Sequence, residues 1–226
     1  MVRLIVLSLV FWNGIAADAV GGASQAGALV ESWLKAQTGI TSWSADFRQT
    51  RALKSLAQPL TASGRVWFSA PNQFRWELGH PAQTIAVKAS QELLVIYPKL
   101  KRVERFPLTG QQMGPWRDAL GLLEAGFPRS QAELDAQYEI LSEEVKGGMC
   151  EIAMRPRAAA ARKMMPRLSV FFSTNDFTLR GTELQFADGS TMRNEFTNAT
   201  LNPKVDGQLF SPEVPSDFKV MEPMKK

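Results

Sequence analysis

Histidine and cysteine are almost missing from this 226-residue sequence, since each occurs once, as His80 and Cys150. A single cysteine cannot form an internal disulfide. A metal site or a catalytic triad would require specific partners for His80, which stands between Gly79 and Pro81 in a turn-like context. We interpret His80 as a surface turn residue and Cys150 as a small apolar strand residue. The sequence predicts neither a metal nor a cofactor.

Recognisable catalytic motifs are absent as well. The chain has no G-x-S-x-G, H-x-x-E-H, G-x-G-x-x-G or Walker A pattern. The adjacent Glu143 and Glu144 would point to opposite faces of a strand, so they do not form a glycosidase pair. We therefore predict that the protein is not an enzyme. A hydrolase with an unrecognised site remains an alternative, with His80 as its only good general base.

A large excess of charge is also missing, because the net charge is +4 and the pI about 9.3. This balance is far from that of a nucleic-acid-binding protein, so nucleic acid is not expected as a partner.

Long apolar runs are missing outside the N-terminus. Hydrophobic residues make up 45% of the chain, enough for a large core. Without a repeat or a composition break, residues 20–226 are predicted to form a single domain.

The N-terminus is the one strongly apolar segment. Arg3 precedes the run LIVLSLVFW, and small residues follow as far as Ala19. This is the pattern of a secretory signal peptide over residues 1–19, with cleavage near Ala19 or Ala17. An uncleaved anchor is the alternative, but the run is short for a bilayer about 30 Å thick. No cysteine follows the cleavage site, so the protein itself lacks a lipoprotein signature. We expect a soluble protein in the periplasm.

Hydrophobic periodicity predicts a mainly β protein. Residues Gln25–Gln37 have a helical pattern, and PWRDALGLLE at Pro115–Glu124 predicts a second helix. The segment RPRAAAARKMMP at 155–166 is either a loop or a short helix. The rest of the chain has the pattern of about eleven short strands separated by turn residues, as in an antiparallel meander. These strands are Thr41–Leu53, Gly64–Phe68, Phe74–Leu78, Thr84–Lys88, Glu92–Tyr97, Lys101–Phe106, Tyr138–Val145, Met149–Met154, Arg167–Ser173, Thr178–Phe186 and Thr191–Leu201.

The first strands have one aromatic face and one charged face. Phe47, Phe68 and Trp76 fall on the apolar side, while Arg75 and Glu77 fall on the other. A long meander twists and curls towards a barrel, and two helices are few for so many strands. Two outcomes follow from the pattern: the side chains fill the interior as a core, or they line a cavity for an apolar ligand.

Several segments of the chain resemble a known family. These are SWSADFRQT, GRVWFSAPNQFRWEL, TIAV, ELLVIYPKLKRVERFPL and, near the C-terminus, DGSTMRNEFTNATLNPKVDGQLFSPEVP. Their order and spacing are similar to those of the periplasmic outer-membrane lipoprotein carrier proteins of the LolA type. The resemblance implies an unclosed antiparallel β-barrel with helices over its concave face as a lid, and a cavity for lipoprotein acyl chains.

The same resemblance implies the partners and the site. The carrier would be a monomer that accepts its cargo from an inner-membrane ABC-type transporter and passes it to an outer-membrane receptor. Lid residues would be Trp116, Leu120 and Leu123. The expected cavity residues are Phe47, Val66, Phe68, Phe74, Trp76, Ile85, Val87, Leu94 and Ile96.

One position departs from the family pattern, which often has arginine before the Pro-Asn turn, where this chain has Ala70. That arginine is thought to hold the lid closed, so a glycolipid or an acylated small molecule is an alternative cargo. An exported domain that senses lipids or lipoproteins is a further alternative.

Two basic segments can each be interpreted in two ways. Residues 99–105 form either the solvated side of a strand or a docking patch for an acidic partner or lipid headgroups. Residues 155–167 form either an ordinary connection or an adaptable contact surface around Met164 and Met165.

Overall fold

A computed structural model of the chain describes residues 21–88, 92–107, 128 and 130–222. The described residues form three α-helices and twelve β-strands. The helices are α1 (Gly21–Gln37), α2 (Gln131–Gln137) and α3 (Ala159–Met164). The strands are β1 (Ser42–Ala52), β2 (Leu60–Ser69), β3 (Gln73–Leu78), β4 (Thr84–Lys88), β5 (Glu92–Tyr97), β6 (Arg102–Pro107), β7 (Tyr138–Lys146), β8 (Met149–Pro156), β9 (Arg167–Ser173), β10 (Leu179–Gln185), β11 (Thr191–Leu201) and β12 (Lys219–Met221).

All twelve strands belong to one sheet, in the order β12-β6-β5-β4-β3-β2-β1-β11-β10-β9-β8-β7. The strands β12 and β7 lie at its two ends, so the sheet is not closed, as predicted. Strand β1 pairs with β11 and joins the two halves through a long-range antiparallel contact, with Phe47 opposite Phe196. The remaining neighbours are sequential hairpins, except at β12, which pairs with β6 in parallel.

The eleven predicted strands are confirmed, and β12 and α2 are additions. Strand β12 has only three residues, too few for an alternation, and it is held by Lys219 N–H donating to Lys101 O at 2.7 Å. Helix α2 begins after Ser130, whose side chain accepts a hydrogen bond from Glu133 N at 3.1 Å. Helix α3 shows that part of 155–166 is helical. None of the helices among the described residues is long and apolar enough to cross a membrane.

Helix α1 packs against one side of the sheet, which we call the inner face. Trp33 of α1 stacks on Phe172 of β9 with ring centroids 5.1 Å apart and planes 2° apart. Val30 and Leu34 are buried in the same cluster as Ala45 and Phe47 of β1. Burial of a large apolar side chain contributes roughly 1.5–3 kcal/mol, so this contact anchors the helix on the inner face.

The opposite, outer face carries charge over β8–β11. Arg193 of β11 lies 3.2 Å from Glu183 of β10 and 3.4 Å from Glu195 of its own strand, and Arg167 lies 3.5 Å from Glu151. These side chains are partly exposed, so each pair contributes about 0–1 kcal/mol. This half of the sheet therefore also has an apolar inner face and a charged outer face.

Candidate binding face of the sheet

Strands β1, β2 and β3 present a continuous apolar row on the inner face. In the antiparallel register Ala45 lies opposite Val66, and Val66 lies opposite Trp76. In the next row, Phe68 lies opposite Phe74. Directly paired residues share a face. The five cavity residues expected on these strands therefore lie on the inner face: Phe47, Val66, Phe68, Phe74 and Trp76.

Aromatic rings concentrate where β3, β1 and β11 approach each other. The Phe47 and Trp76 ring centroids are 4.0 Å apart, and Trp76 meets Phe196 edge-on at 6.3 Å. Gly64 makes room for this cluster, because a Cβ at that position would lie 2.5 Å from Phe47 Cζ and would also meet the Glu77 carbonyl oxygen. The absence of a side chain at Gly64 thus allows the Phe47 ring to lie over β2.

Part of this apolar face is only half-buried. Phe68, Trp76 and Leu78 all retain exposed surface, whereas Phe47 and Val66 are buried. A core that excludes water completely would bury such large side chains. The inner face of β2 and β3 therefore has apolar surface available for contact with another apolar group.

The expected cavity residues on β4 and β5 are on the wrong face. Ile85 lies opposite Glu77 and Ile96, and Val87 lies opposite Arg75 and Leu94, so all four apolar side chains point to the outer face. The inner-face residues at these positions are Ala86, Leu93 and Val95, which cluster with Phe74 and Phe106. The prediction failed because β4 and β5 are apolar at both parities, so the period-two pattern does not distinguish their faces.

Both faces of β4 and β5 are apolar because the C-terminal segment covers the outer one. Val214 and Phe218 pack against the outer-face cluster of Leu94, Ile96 and Val103. Strands buried on both sides lose the alternation that marks a half-solvated sheet. The outer surface of β4–β6 is thus a second core, separate from the inner face.

Arg75 helps to hold this C-terminal cover. Its Nη1 donates to the carbonyl oxygen of Leu209 at 3.1 Å, and its Nε donates to Glu77 Oε1 at 2.6 Å. The Arg75 side chain is only 13% exposed. As predicted from its parity, Arg75 faces outwards, so it cannot take the place of an arginine at Ala70.

A polar row crosses the inner face beside the aromatic cluster. Gln49 Nε2 donates to Asn194 Oδ1 at 3.0 Å, and Asn194 Nδ2 donates to Thr182 Oγ1 at 3.2 Å. All three residues are buried. Sequence reasoning did not assign them a role, although Gln49 stands on the apolar parity of β1, which was a visible signal.

A second polar group lies on the inner face at the start of β6. The Arg102 guanidinium lies 4.5 Å from the centroid of the Tyr97 ring and 3.4 Å from Glu104. Burial raises the pKa of the Tyr97 hydroxyl, and the neighbouring Glu104 carboxylate raises this pKa further. Tyr97 therefore stays protonated and can donate to Glu104, whose Oε2 lies 3.4 Å away.

Comparison with known proteins identifies the family. A family model described as "Outer membrane lipoprotein carrier protein LolA" matches residues 38–213. The chain belongs to this family. An outer-membrane lipoprotein carrier protein of Chromohalobacter salexigens is 26% identical over 202 residues, which cover 89% of this chain and 87% of that protein. A protein of the same name from Dechloromonas aromatica is 24% identical over 177 residues, covering 78% and 79%.

A solved structure shows the same fold. The crystal structure of an uncharacterized conserved protein from Thermus thermophilus superimposes with a TM-score of 0.51 at 10% identity, covering 88% of this chain and 99% of that one. At this identity the likeness concerns the fold alone. It agrees with the open, mainly β architecture expected of the LolA family member.

Within the described part of this LolA family chain, His80 lies apart from Cys150 and Glu143. Cys150 lies on β8 with no exposed surface, and burial raises the pKa of its thiol to about 11. His80 is exposed in the turn between β3 and β4, in the other half of the sheet. Burial also raises the pKa of Glu143 on β7. Among the residues that the structure describes, no group of three histidine, cysteine or acidic residues could hold a metal ion.

Two expectations fall outside the described residues. The lid residues Trp116, Leu120 and Leu123 belong to the segment 108–127, and the signal peptide occupies residues 1–19. Both stay predictions.

Proposed function

We propose that this LolA family protein is a periplasmic carrier that holds the acyl chains of a lipoprotein against its inner face and moves them from the inner to the outer membrane. It performs no catalysis. Its partners would be an inner-membrane ABC-type transporter as the donor and an outer-membrane receptor as the acceptor. The half-buried apolar surface of Phe68, Trp76 and Leu78 on the inner face carries the proposal.

The chemistry of this surface suits an acyl chain. An exposed lipid chain in water costs about 0.8 kcal/mol per CH₂, so a carrier must cover the chain with apolar contacts. Phe47, Trp76 and Phe196 offer broad ring faces and edges without a charged group among them. Contacts of this kind are non-directional, which allows chains to be taken up and released without a specific polar bond being broken.

The test is the binding of a fluorescent fatty acid, 11-(dansylamino)undecanoic acid, and its displacement by palmitate. The variant Trp76→Ala removes the half-buried inner-face ring. We expect it to raise Kd about tenfold, because the chain loses apolar contact area. The matched control is Trp67→Ala on the neighbouring strand, a half-buried tryptophan that faces outwards opposite Arg75. Its Kd should stay within about twofold of the parent value.

Equal effects of the two tryptophan variants would contradict the proposal, since they would mean that binding does not use the inner face. Failure of the parent protein to bind or exchange any acyl ligand would contradict it as well.

A different lipid cargo is the second candidate, and it rests on Ala70. Ala70 stands where many family members have arginine, and Arg75 is bound to Glu77 and the Leu209 carbonyl on the outer face. Mass spectrometry of the molecules that copurify with the protein from the periplasm separates the two candidates. An acylated protein supports the lipoprotein carrier, and a glycolipid or an acylated small molecule supports the alternative.

A further inference from the structure

The two ends of the sheet differ sharply in their surface chemistry. Because neighbouring strands are antiparallel, the β1–β2, β3–β4, β5–β6, β8–β9 and β10–β11 connections all lie at one end. We call these connections, with the strand residues next to them, the basic rim: residues 51–60, 79–83, 98–101, 157–164 and 186–190. Two hydrogen bonds join its parts, from Lys54 N to Ser190 Oγ at 3.4 Å and from Ala187 N to Met164 O at 2.9 Å.

Positive charge dominates the basic rim. Within these residues Asp188 is the sole acidic side chain, while Asp135 of α2, whose carbonyl oxygen accepts from Arg157, and Asp217, which precedes β12, also lie at this end of the sheet. The lysines and arginines are Arg51, Lys54, Lys99, Lys101, Arg157, Arg162 and Lys163. One of them, Lys101, is paired with Asp217 at 2.7 Å. The described connections at the opposite end, residues 70–72, 147–148, 174–178 and 202–206, carry only Asp176, Lys204 and Asp206. Among the described residues, the connections of the basic rim therefore carry more positive charge than those at the opposite end.

Large apolar side chains protrude among these charges. The exposed fractions are 46% for Leu56, 51% for Leu60, 65% for Leu100 and 49% for Met164. Leu56 and Leu60 belong to the β1–β2 connection, Leu100 to the turn before β6 and Met164 to the short helix α3. Isolated apolar side chains flanked by lysine and arginine match the interface of an anionic bilayer, where apolar groups enter the acyl boundary and cations meet the headgroups.

We propose that the basic rim docks the protein on the surface of an anionic phospholipid membrane. The proposal rests on the proposed carrier function and deepens it, because the donor and the receptor that the carrier must reach both lie in membranes. A stable protein partner would require a contiguous interface of roughly 800 Å² on each side with a well-packed apolar centre, whereas the rim offers dispersed side chains. Attraction of this type is weak and reversible, which suits a shuttle.

The experiment is flotation of the purified protein with two kinds of vesicle. One contains phosphatidylcholine alone, and the other contains equal parts of phosphatidylcholine and phosphatidylglycerol. We expect binding to the anionic vesicles only, and a decrease with added salt because salt screens surface charges. The rim variant Lys54→Glu/Lys163→Glu should lower the partition into anionic vesicles more than about tenfold, since each cationic residue near such a surface contributes about fivefold.

A matched control makes the same change in net charge elsewhere. Lys146 and Lys204 are exposed at the opposite end of the sheet, and Lys146→Glu/Lys204→Glu should leave the partition within about twofold of the parent value. The uncharged variant Leu56→Ser/Leu60→Ser should weaken binding to anionic vesicles while the salt dependence remains. Equal loss in the rim and control variants would overturn the proposal, because overall charge would then explain binding.

Two further readouts separate this proposal from the proposed function. The rim variants should bind the fluorescent fatty acid as the parent does, since the rim lies outside the inner face. If the parent floats with anionic vesicles but binds no acyl ligand, the carrier function fails and the docking surface stands. If the parent floats with neither vesicle while rim variants lose cargo transfer to a membrane-protein receptor, the rim is a protein-docking surface and the proposal is wrong.

Discussion

Gln49 and Asn194 lie directly opposite each other on β1 and β11, and Gln49 Nε2 donates to Asn194 Oδ1 at 3.0 Å. This bond spans the pairing that joins the two halves of the sheet. A one-residue slip between these strands would turn the amide of one residue away from that of the other. The polar pair therefore specifies the register of β1 against β11, a long-range pairing that the local sequence pattern does not predict.

Asn194→Ala should destabilise the protein by about 1–3 kcal/mol, because it leaves buried polar groups of Gln49 and Thr182 without their Asn194 partner. Urea unfolding followed by tryptophan fluorescence measures this loss. Thr197→Ala, at an exposed position on the same strand, is the control and should change stability by no more than about 0.5 kcal/mol. A stable Asn194→Ala variant would show that the pair does not hold the joint.

Arg75→Ala should loosen the C-terminal segment. The variant loses the hydrogen bond to the Leu209 carbonyl and leaves Glu77 without its partner at 2.6 Å. We expect faster amide hydrogen exchange across residues 207–221, and a loss of about 1–3 kcal/mol in unfolding free energy. Arg65→Ala on the same face is the control, because Arg65 is exposed and lies 3.8 Å from Asp46. Unchanged exchange in the segment would refute this role of Arg75.

Gly64→Ala should disturb the aromatic cluster. The added methyl group would meet the Phe47 ring and the backbone of β3, and overpacking of this kind costs about 1–3 kcal/mol. The variant should also bind the fluorescent fatty acid more weakly, since the Phe47 ring must move relative to Trp76. At Gly207 a Cβ would meet nothing within 4 Å, so Gly207→Ala serves as the control. Equal stability of the two alanine variants would contradict the prediction.

Cys150 should make stability depend on pH in the alkaline range. Its pKa is raised from an ordinary value of 9.0 to about 11 by burial. Above the lower value the unfolded chain loses the thiol proton while the folded protein keeps it, so unfolding becomes easier as pH rises towards about 11. Urea unfolding between these pH values, compared with Cys150→Ala, isolates this contribution because both proteins contain Tyr97.

The reactivity of the same thiol gives an independent readout. A buried, protonated thiol is a poor nucleophile, so a disulfide reagent should modify Cys150 at about pH 8 only as the protein unfolds. Fast modification of the folded protein, or the same pH dependence in Cys150→Ala, would show that the thiol is not shielded as the structure indicates.

Local pattern was sufficient for most of the strands. Alternation along β1, β2 and β3 predicted both the strands and their inner faces, because one side of these strands is apolar and the other carries charge. Turn residues also separate the strands of the second half, as at Asn175-Asp176 between β9 and β10 and at Asp188-Gly189 between β10 and β11. The LolA resemblance came from these same segments, and the family match confirmed it.

The pattern was insufficient where distant segments meet. Ile85, Leu94 and Ile96 are apolar on the outer face because Val214 and Phe218 cover them, and this contact joins parts of the chain that are far apart in sequence. The composition of β4 and β5 is compatible with either face. Only the strand register shows which side chains the inner face contains.

Short-range alternation, turn residues and the scarcity of histidine and cysteine are properties of the sequence itself, so they predicted an antiparallel β meander without a recognisable catalytic motif. The open barrel was an implication of the LolA resemblance. The pairing of β1 with β11, the parallel position of β12 and the convergence of basic turns at one end depend on long-range contacts. Such contacts follow from the free energy of the whole packed sheet, which no local window of residues contains.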